Sequence, residues 1–189
     1  MNSDLRLACD KMYKCGALGQ LEWEVLALLS AVRDKLKPAI SVELGSCYGG
    51  MSYLIATVTT EKVFSVDMAH ATNAEAKHER VTYVSGHTES HEVLRSVEAG
   101  AGRKIDFLFI DADHSRAAVE RDYQMWSPLV RPGGWIGFHD ISNPGAAGCR
   151  EFWDTIQGQK IEFIQTGNHN AFGFIGWLGC GGIGVVKKP

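Results

Sequence analysis

Ile40-Ser41-Val42-Glu43-Leu44-Gly45-Ser46-Cys47-Tyr48-Gly49-Gly50-Met51-Ser52 decides how this chain is read. Ile40, Val42 and Leu44 form a short apolar run, and Met51, Leu54, Ile55 and Val58 repeat at helical spacing. The apolar period changes from two to 3.6 across one tight turn, which predicts a strand, a loop and a helix. Gly45 allows a sharp turn, while Gly49 and Gly50 would let a ligand approach the backbone without meeting a Cβ. The new helix points its unpaired N–H groups at whatever occupies the loop. A dinucleotide fingerprint needs a further glycine two residues after the first, and Cys47 stands there, which weakens a nicotinamide-dinucleotide reading. Glu43, inside the strand, needs a partner beside a buried turn; a cationic ligand group would be one.

The chain has 189 residues, 45% of them apolar, enough for one domain with a large core. A net charge of −3 offers no electrostatic reason to expect nucleic acid or an anionic membrane surface. No apolar run reaches the length of a membrane span, and the first residues carry no signal-peptide pattern. The five cysteines include no C-x-x-C pair, which suits reduced thiols of a cytoplasmic protein and disfavours structural zinc.

Outward from the opening stretch, Leu18 to Leu36 reads as an amphipathic helix, with Leu21, Val25, Leu28, Leu29, Val32 and Leu36 on one stripe and Glu22, Glu24, Arg33 and Lys35 elsewhere. A shorter helix precedes it, and this segment packs on the sheet or on a dimer partner. Lys62 to Asp67 is a second strand, and Asp67 stands where an acid receives ribose hydroxyls in nucleotide-binding α/β domains. Val81 to Ser85 is a third strand; the loop with His87 can edge a ligand's base, and Thr88 is the expected N-cap of a helix over 89–98. Ile105 to Ile110 is the most apolar strand, suited to a central parallel position, and Asp111, Asp113 and His114 leave its carboxyl end. A helix spans 115–126. After the turn at Arg131-Pro132-Gly133-Gly134, a fifth strand, Trp135 to Phe138, ends in His139-Asp140. Residues 141–148 are rich in turn formers and read as a mobile lid. A helix over 149–157, a sixth strand over 161–165 and a seventh over 181–186 complete the chain, the last antiparallel because no helix precedes it. The alternation predicts a doubly wound, Rossmann-like, seven-stranded and mostly parallel sheet with an antiparallel last strand and N-terminal helices. Residues 1–38 would hold those helices and 39–189 the cofactor-binding sheet of one domain.

With these residues in place the chain resembles class I S-adenosylmethionine-dependent methyltransferases, and within them the small metal-dependent O-methyltransferases, from about Ala39 to Trp153. V-E-L-G-S-C-Y-G-G-M-S resembles the first motif of that family, V-F-S-V-D-M the strand bearing the ribose acid, F-L-F-I-D-A-D-H-S the motif whose first Asp borders cofactor and cation, and R-P-G-G-W-I-G-F-H-D the second metal cluster. The resemblance implies S-adenosyl-L-methionine bound by Glu43, Gly45, Ser46, Gly49, Asp67, Met68, His87 and Asp111. It also implies Mg²⁺ or another divalent cation at Asp111 and Asp140. Relatives place Asp-Asn or Glu-Asp where this chain has His139-Asp140; oxygen donors suit Mg²⁺ or Ca²⁺, and imidazole suits softer ions.

Methyl transfer to a small hydroxylated acceptor requires alignment with the S–CH₃ bond and loss of the hydroxyl proton. A cation at Asp111 and Asp140 would assist that loss; His139 or His114 would accept the proton. Asp111, His114 and His139 are therefore the catalytic candidates. A nucleotide-sugar glycosyltransferase using Asp111-Ala112-Asp113 as a D-x-D metal site is one rival, opposed by Glu43. A non-catalytic cofactor-binding module is another. Acceptor specificity falls to the N-terminal helices, the 141–148 loop and the tail, with Trp135, Trp153, Phe172, Phe174 and Trp177 as candidate pocket walls.

Overall fold

The computed structural model describes residues 3–69, 72–164 and 181–189. Among the described residues, seven strands form one sheet: β1 (Ile40–Leu44), β2 (Lys62–Asp67), β3 (Val81–Ser85), β4 (Ile105–Ile110), β5 (Val130–Phe138), β6 (Lys160–Phe163) and β7 (Ile183–Lys187). Their order is β3-β2-β1-β4-β5-β7-β6. The first five pair in parallel, and β7 runs antiparallel between β5 and β6. The expected mostly parallel sheet with an antiparallel last strand is the fold observed. Chain order reverses between β1 and β4, so the loops after these strands diverge and open a crevice at their carboxyl ends.

Among the described residues, six α-helices wrap the sheet: α1 (Ser3–Lys14), α2 (Glu22–Ala31), α3 (Gly50–Val58), α4 (His91–Ala101), α5 (Arg116–Trp126) and α6 (Ala147–Thr155). Alternate strand residues serve opposite faces, as a pleated backbone requires. Phe107 and Phe109 of β4 join the core under α1, α2 and α3, whereas Leu108 and Ile110 join that under α4, α5 and α6. Both faces of β4 are covered, which explains its unbroken apolar run. Among the described residues, no helix is long and apolar enough to cross a membrane.

Several element boundaries differ from the sequence expectation. The N-terminal helix α1, expected to be the shorter, has 12 residues against 10 in α2 and buries Leu5, Cys9 and Met12. α2 begins only at Glu22 and passes into a π-helical turn, Val32–Leu36, closed by left-handed Lys37; Leu18 to Leu21 are not helical. Glu24, off the apolar stripe in the sequence, is nevertheless buried and accepts the Gly182 N–H at 2.8 Å. Ser90, not Thr88, caps α4; Thr88 instead donates to buried Asp122 at 2.9 Å, because a buried carboxylate requires a donor. β5 starts before the expected turn and absorbs Pro132 through a register shift against β4.

The 141–148 segment, read as a lid, is tied down at both ends, with Ser142, Pro144, Gly145 and Ala147 exposed between them. Ile141 is fully buried, its N–H and that of Ser142 donate to Gly182 and Gly181 carbonyls, and Gly148 lies against the backbone of 114–116. Trp153 is a core residue, not a pocket wall; Trp135 is also buried, yet it borders a cleft together with Lys35, Arg131 and Lys187. Phe172, Phe174, Trp177, Cys180 and Gln165, the last residue of the expected sixth strand, lie outside the described residues.

Candidate active site

The glycine loop is shaped first by contacts within the chain. Gly45 is left-handed, and a Cβ there would lie 2.1 Å from the Asp111 carbonyl oxygen. Only glycine lets the loop after β1 close on the end of β4. At Gly50 a Cβ would lie 2.3 Å from the Ala17 carbonyl oxygen, which accepts the Gly50 N–H at 3.2 Å. The space reserved in the sequence reading for a ligand at Gly50 is filled by the α1–α2 connection. Gly49 caps α3 in the left-handed region. Cys47 adopts a positive φ of 47°, so the loop takes a glycine-like backbone without the glycine.

Glu43 is fully buried, and the Ser52 hydroxyl of α3 donates to its Oε2. The partner assigned to a ligand cation is therefore a side chain of the same strand–loop–helix unit, while Oε1 lacks a partner. Burial pushes the Glu43 carboxyl up to about 8, more than the Ser52 hydrogen bond brings it down. Ser46 is buried with its hydroxyl unpartnered. Asp67 ties the loop to β2, accepting the Cys47 N–H at 2.8 Å and the Ala69 N–H at 2.9 Å. Its oxygens keep lone pairs for further donors. Met68 and His87 are exposed at the same sheet edge.

Parallel pairing of β4 and β5 sets Asp111 beside His139 and Asp140. Nδ1 of His139 lies 3.1 Å from Oδ1 of Asp111 and 3.4 Å from Oδ2 of Asp140. Nε2 of His114 lies 3.6 and 3.4 Å from the same two oxygens. The remaining oxygens are also held: Gln20 Nε2 donates to Asp111 Oδ2 at 2.6 Å, and the Gly181 N–H donates to Asp140 Oδ1 at 3.0 Å. Asp140 has a φ of +59°, a region that Asp tolerates better than most residues. His139 is buried, with Nε2 unpartnered, whereas the His114 side chain is 41% exposed.

Burial alone would raise the Asp111 pKa, but the His139 charge and hydrogen bonds from His114, His139 and Gln20 together hold it below the usual range. Asp140 behaves alike, with burial outweighed chiefly by His139. Burial would lower the pKa of His139, yet the Asp111 charge and hydrogen bonds to Asp111 and Asp140 push it up to about 10. For His114 the shift is also upward, caused first by Asp111 and opposed by partial burial. The two carboxylates thus converge because the imidazolium of His139, held between them, outweighs their mutual repulsion.

Asp111, His139 and Asp140 each offer a ligand atom within 4.8 Å of the others, a mixed oxygen and nitrogen set that fits a divalent cation. Binding there would require His139 Nδ1 to release its proton. The expected pair Asp111 and Asp140 does converge, and His139 joins it. Asp113 does not: exposed, it accepts the Ser115 N–H at 2.7 Å, so the D-x-D of the glycosyltransferase alternative does not assemble. The sequence reading missed Gln20 and Ser52. For Ser52 a signal existed, since it stands two residues into the helix after Glu43's loop. Gln20 lies in no motif.

Residues 42–141 match a protein family described as a methyltransferase domain. Over 179 residues the chain is 25% identical to the rhamnosyl O-methyltransferase of Mycobacterium leprae, covering 80% of this chain and 78% of that protein. The rhamnosyl O-methyltransferase of Mycobacterium tuberculosis is 24% identical over 163 residues, and the chain spans only 64% of its length. Among solved structures, the O-methyltransferase TomG of Streptomyces achromogenes with SAM superposes with a TM-score of 0.67 at 13% identity, covering 100% of this chain and 91% of that one. MycE methyltransferase of the mycinamycin pathway, with Mg and SAH, gives 0.56 at 20% identity, covering 75% of this chain and 38% of that one. Likeness at these identities speaks to the fold.

Proposed function

This chain belongs to the methyltransferase-domain family, and on that premise we propose that it methylates a hydroxyl oxygen of a small acceptor, using S-adenosylmethionine and a divalent cation. One observation carries the proposal: Asp111, His139 and Asp140 converge beside the glycine loop, where β4 and β5 end. The names of the curated relatives support a sugar hydroxyl, of the kind rhamnose presents, as the acceptor. Four described cysteines are free thiols, which supports action in the cytoplasm. We carry forward a single domain over residues 1–189.

S-adenosylmethionine, when bound, supplies an electrophilic methyl group on its sulfonium. A divalent cation, held by Asp111, His139 and Asp140, would supply Lewis acidity toward the acceptor oxygen. The protein does the rest by position. Asp67 has lone pairs for the ribose hydroxyls while its two backbone donors keep the loop closed. Glu43 and Ser52 support the loop from beneath rather than meeting solvent. His114 is the imidazole with access to solvent, so it is the group that can take the acceptor's proton and pass it to water. His139 is enclosed between carboxylates and serves to hold them together or as a ligand.

The test is transfer of a labelled methyl group from S-adenosylmethionine to rhamnose-bearing glycosides, catechols and simple phenols. Product O-methyl groups on a glycoside, lost on exhaustive chelation and restored by Mg²⁺ or Mn²⁺, are expected. Cofactor binding without transfer to any hydroxyl would favour the non-catalytic alternative.

A further inference from the structure

Gln20 belongs to no motif, and the chemistry outlined for the site does not use it. It nevertheless makes the shortest hydrogen bond to Asp111 among the described residues, 2.6 Å from Nε2 to Oδ2, across 91 residues of chain. The orientation of its amide follows from chemistry: turned over, the amide oxygen would face a carboxylate oxygen. The connection that carries Gln20 is itself tied down on three sides. The Tyr13 hydroxyl donates to the Gln20 carbonyl, the Gly50 N–H to Ala17, and the Asn73 amide to Cys15 at 2.9 Å. Gln20 thus reaches the reacting edge from a fixed backbone, and it does so as a neutral donor that adds no charge to the cluster.

We propose that Gln20 is a positioning residue for methyl transfer, acting through Asp111. Its amide engages Oδ2, which leaves Oδ1 turned toward His114, His139 and Asp140. An aspartate carboxylate otherwise rotates about its last bond over a broad range, and a misplacement of about 1 Å in a catalytic group can cost about a hundredfold in rate. The inference rests on the proposed methyltransferase reading of this site.

The experiment compares wild type with Gln20→Met, which keeps length but loses the donor, and Gln20→Glu, which keeps shape but sets a charge against Asp111. Tyr13→Phe removes the anchor of the Gln20 carbonyl. Turnover by the metal-loaded enzyme should fall about tenfold in Gln20→Met and further in Gln20→Glu, with KM for S-adenosylmethionine within about twofold of wild type. Tyr13→Phe should fall by less, in the same direction. Mn²⁺ binding, followed by calorimetry or electron paramagnetic resonance, should weaken several-fold in Gln20→Met, because second-sphere partners orient ligands. Wild-type turnover in Gln20→Met would overturn the proposal. So would equal losses in Gln20→Met and Gln20→Glu that follow their melting temperatures, because packing alone would explain them. Should wild type methylate none of the hydroxyl acceptors, the reaction assignment fails. The Mn²⁺ comparison still judges Gln20 in that case, and unchanged affinity in Gln20→Met would count against it.

Discussion

Two sets of buried acids lie at the same sheet edge, and they hold their protons in opposite ways. Glu43, under the glycine loop, is wholly enclosed, has one hydroxyl donor, and is pushed up to about 8. Asp111 and Asp140, one and two strands away, are also enclosed yet are held below the usual carboxylate range. Burial acts the same way on all three. The difference lies in the partners: a single serine against two imidazoles, an amide and a backbone N–H. Depth in the protein therefore does not decide whether an enclosed acid keeps its proton; the number and charge of its donors do.

The comparison breaks most severely at His139. His139→Ala leaves two buried carboxylates without their central cation, and removal of one member of such a cluster costs about 3–5 kcal/mol. Urea denaturation at neutral pH should register that loss. In wild type, a histidine raised from 6.5 to about 10 contributes stability that is complete below pH 6.5 and disappears as pH rises through 10. His139→Ala should lack that alkaline decline. Asp111 and Asp140, with lowered pKa values, contribute stability above the ordinary carboxylate range that is lost as pH falls through their folded values.

Asp140→Asn probes the reactive half of the comparison. Turnover should fall about a hundredfold, while calorimetric affinity for S-adenosylhomocysteine changes little, because Asp140 holds none of the glycine-loop contacts. Asp67→Ala should show the reverse pattern, with about 1–3 kcal/mol lost from cofactor binding through its hydrogen bonds and a smaller change in turnover at saturating cofactor. Equal effects of the two substitutions on affinity would erase the division between loop and cluster.

The smallest effect is expected at Glu43. Its folded pKa lies above its unfolded value of 4.5, so its contribution is full below pH 4.5 and is lost as pH rises through about 8. Glu43→Gln keeps an acceptor for Ser52 and removes the titration. Denaturation midpoints followed from pH 5 to 9 should decline less steeply in this variant than in wild type. An unchanged slope would mean that Glu43 is ionised in the folded chain, and the contrast with Asp111 would disappear.

Much of this site was legible before any coordinates. Short apolar runs followed by acids locate Asp67, Asp111 and, just beyond His139, Asp140 at strand ends, and parallel strands align those ends on one edge. The absence of a helix before the last strand marked it as antiparallel, and the pairing of β7 with β5 and β6 agrees. All of this depends on residues near one another in sequence, where periodicity and turn chemistry carry information.

Other features were decided by docking. Gly50 reads as a place for a ligand until Ala17 is seen against it. Leu18 and Gln20 read as helix until α2 is found to start at Glu22, leaving Gln20 free to reach Asp111. Glu24 and Thr88 read as a residue off the apolar stripe and a helix cap until buried Gly182 and Asp122 claim them. Local pattern sets which residues form strands and helices, since it reflects the dihedral and burial preferences of neighbours in the chain. It does not encode which donor meets which buried acceptor across the sheet, because that pairing is settled only when the layers pack and each enclosed polar group must find a partner.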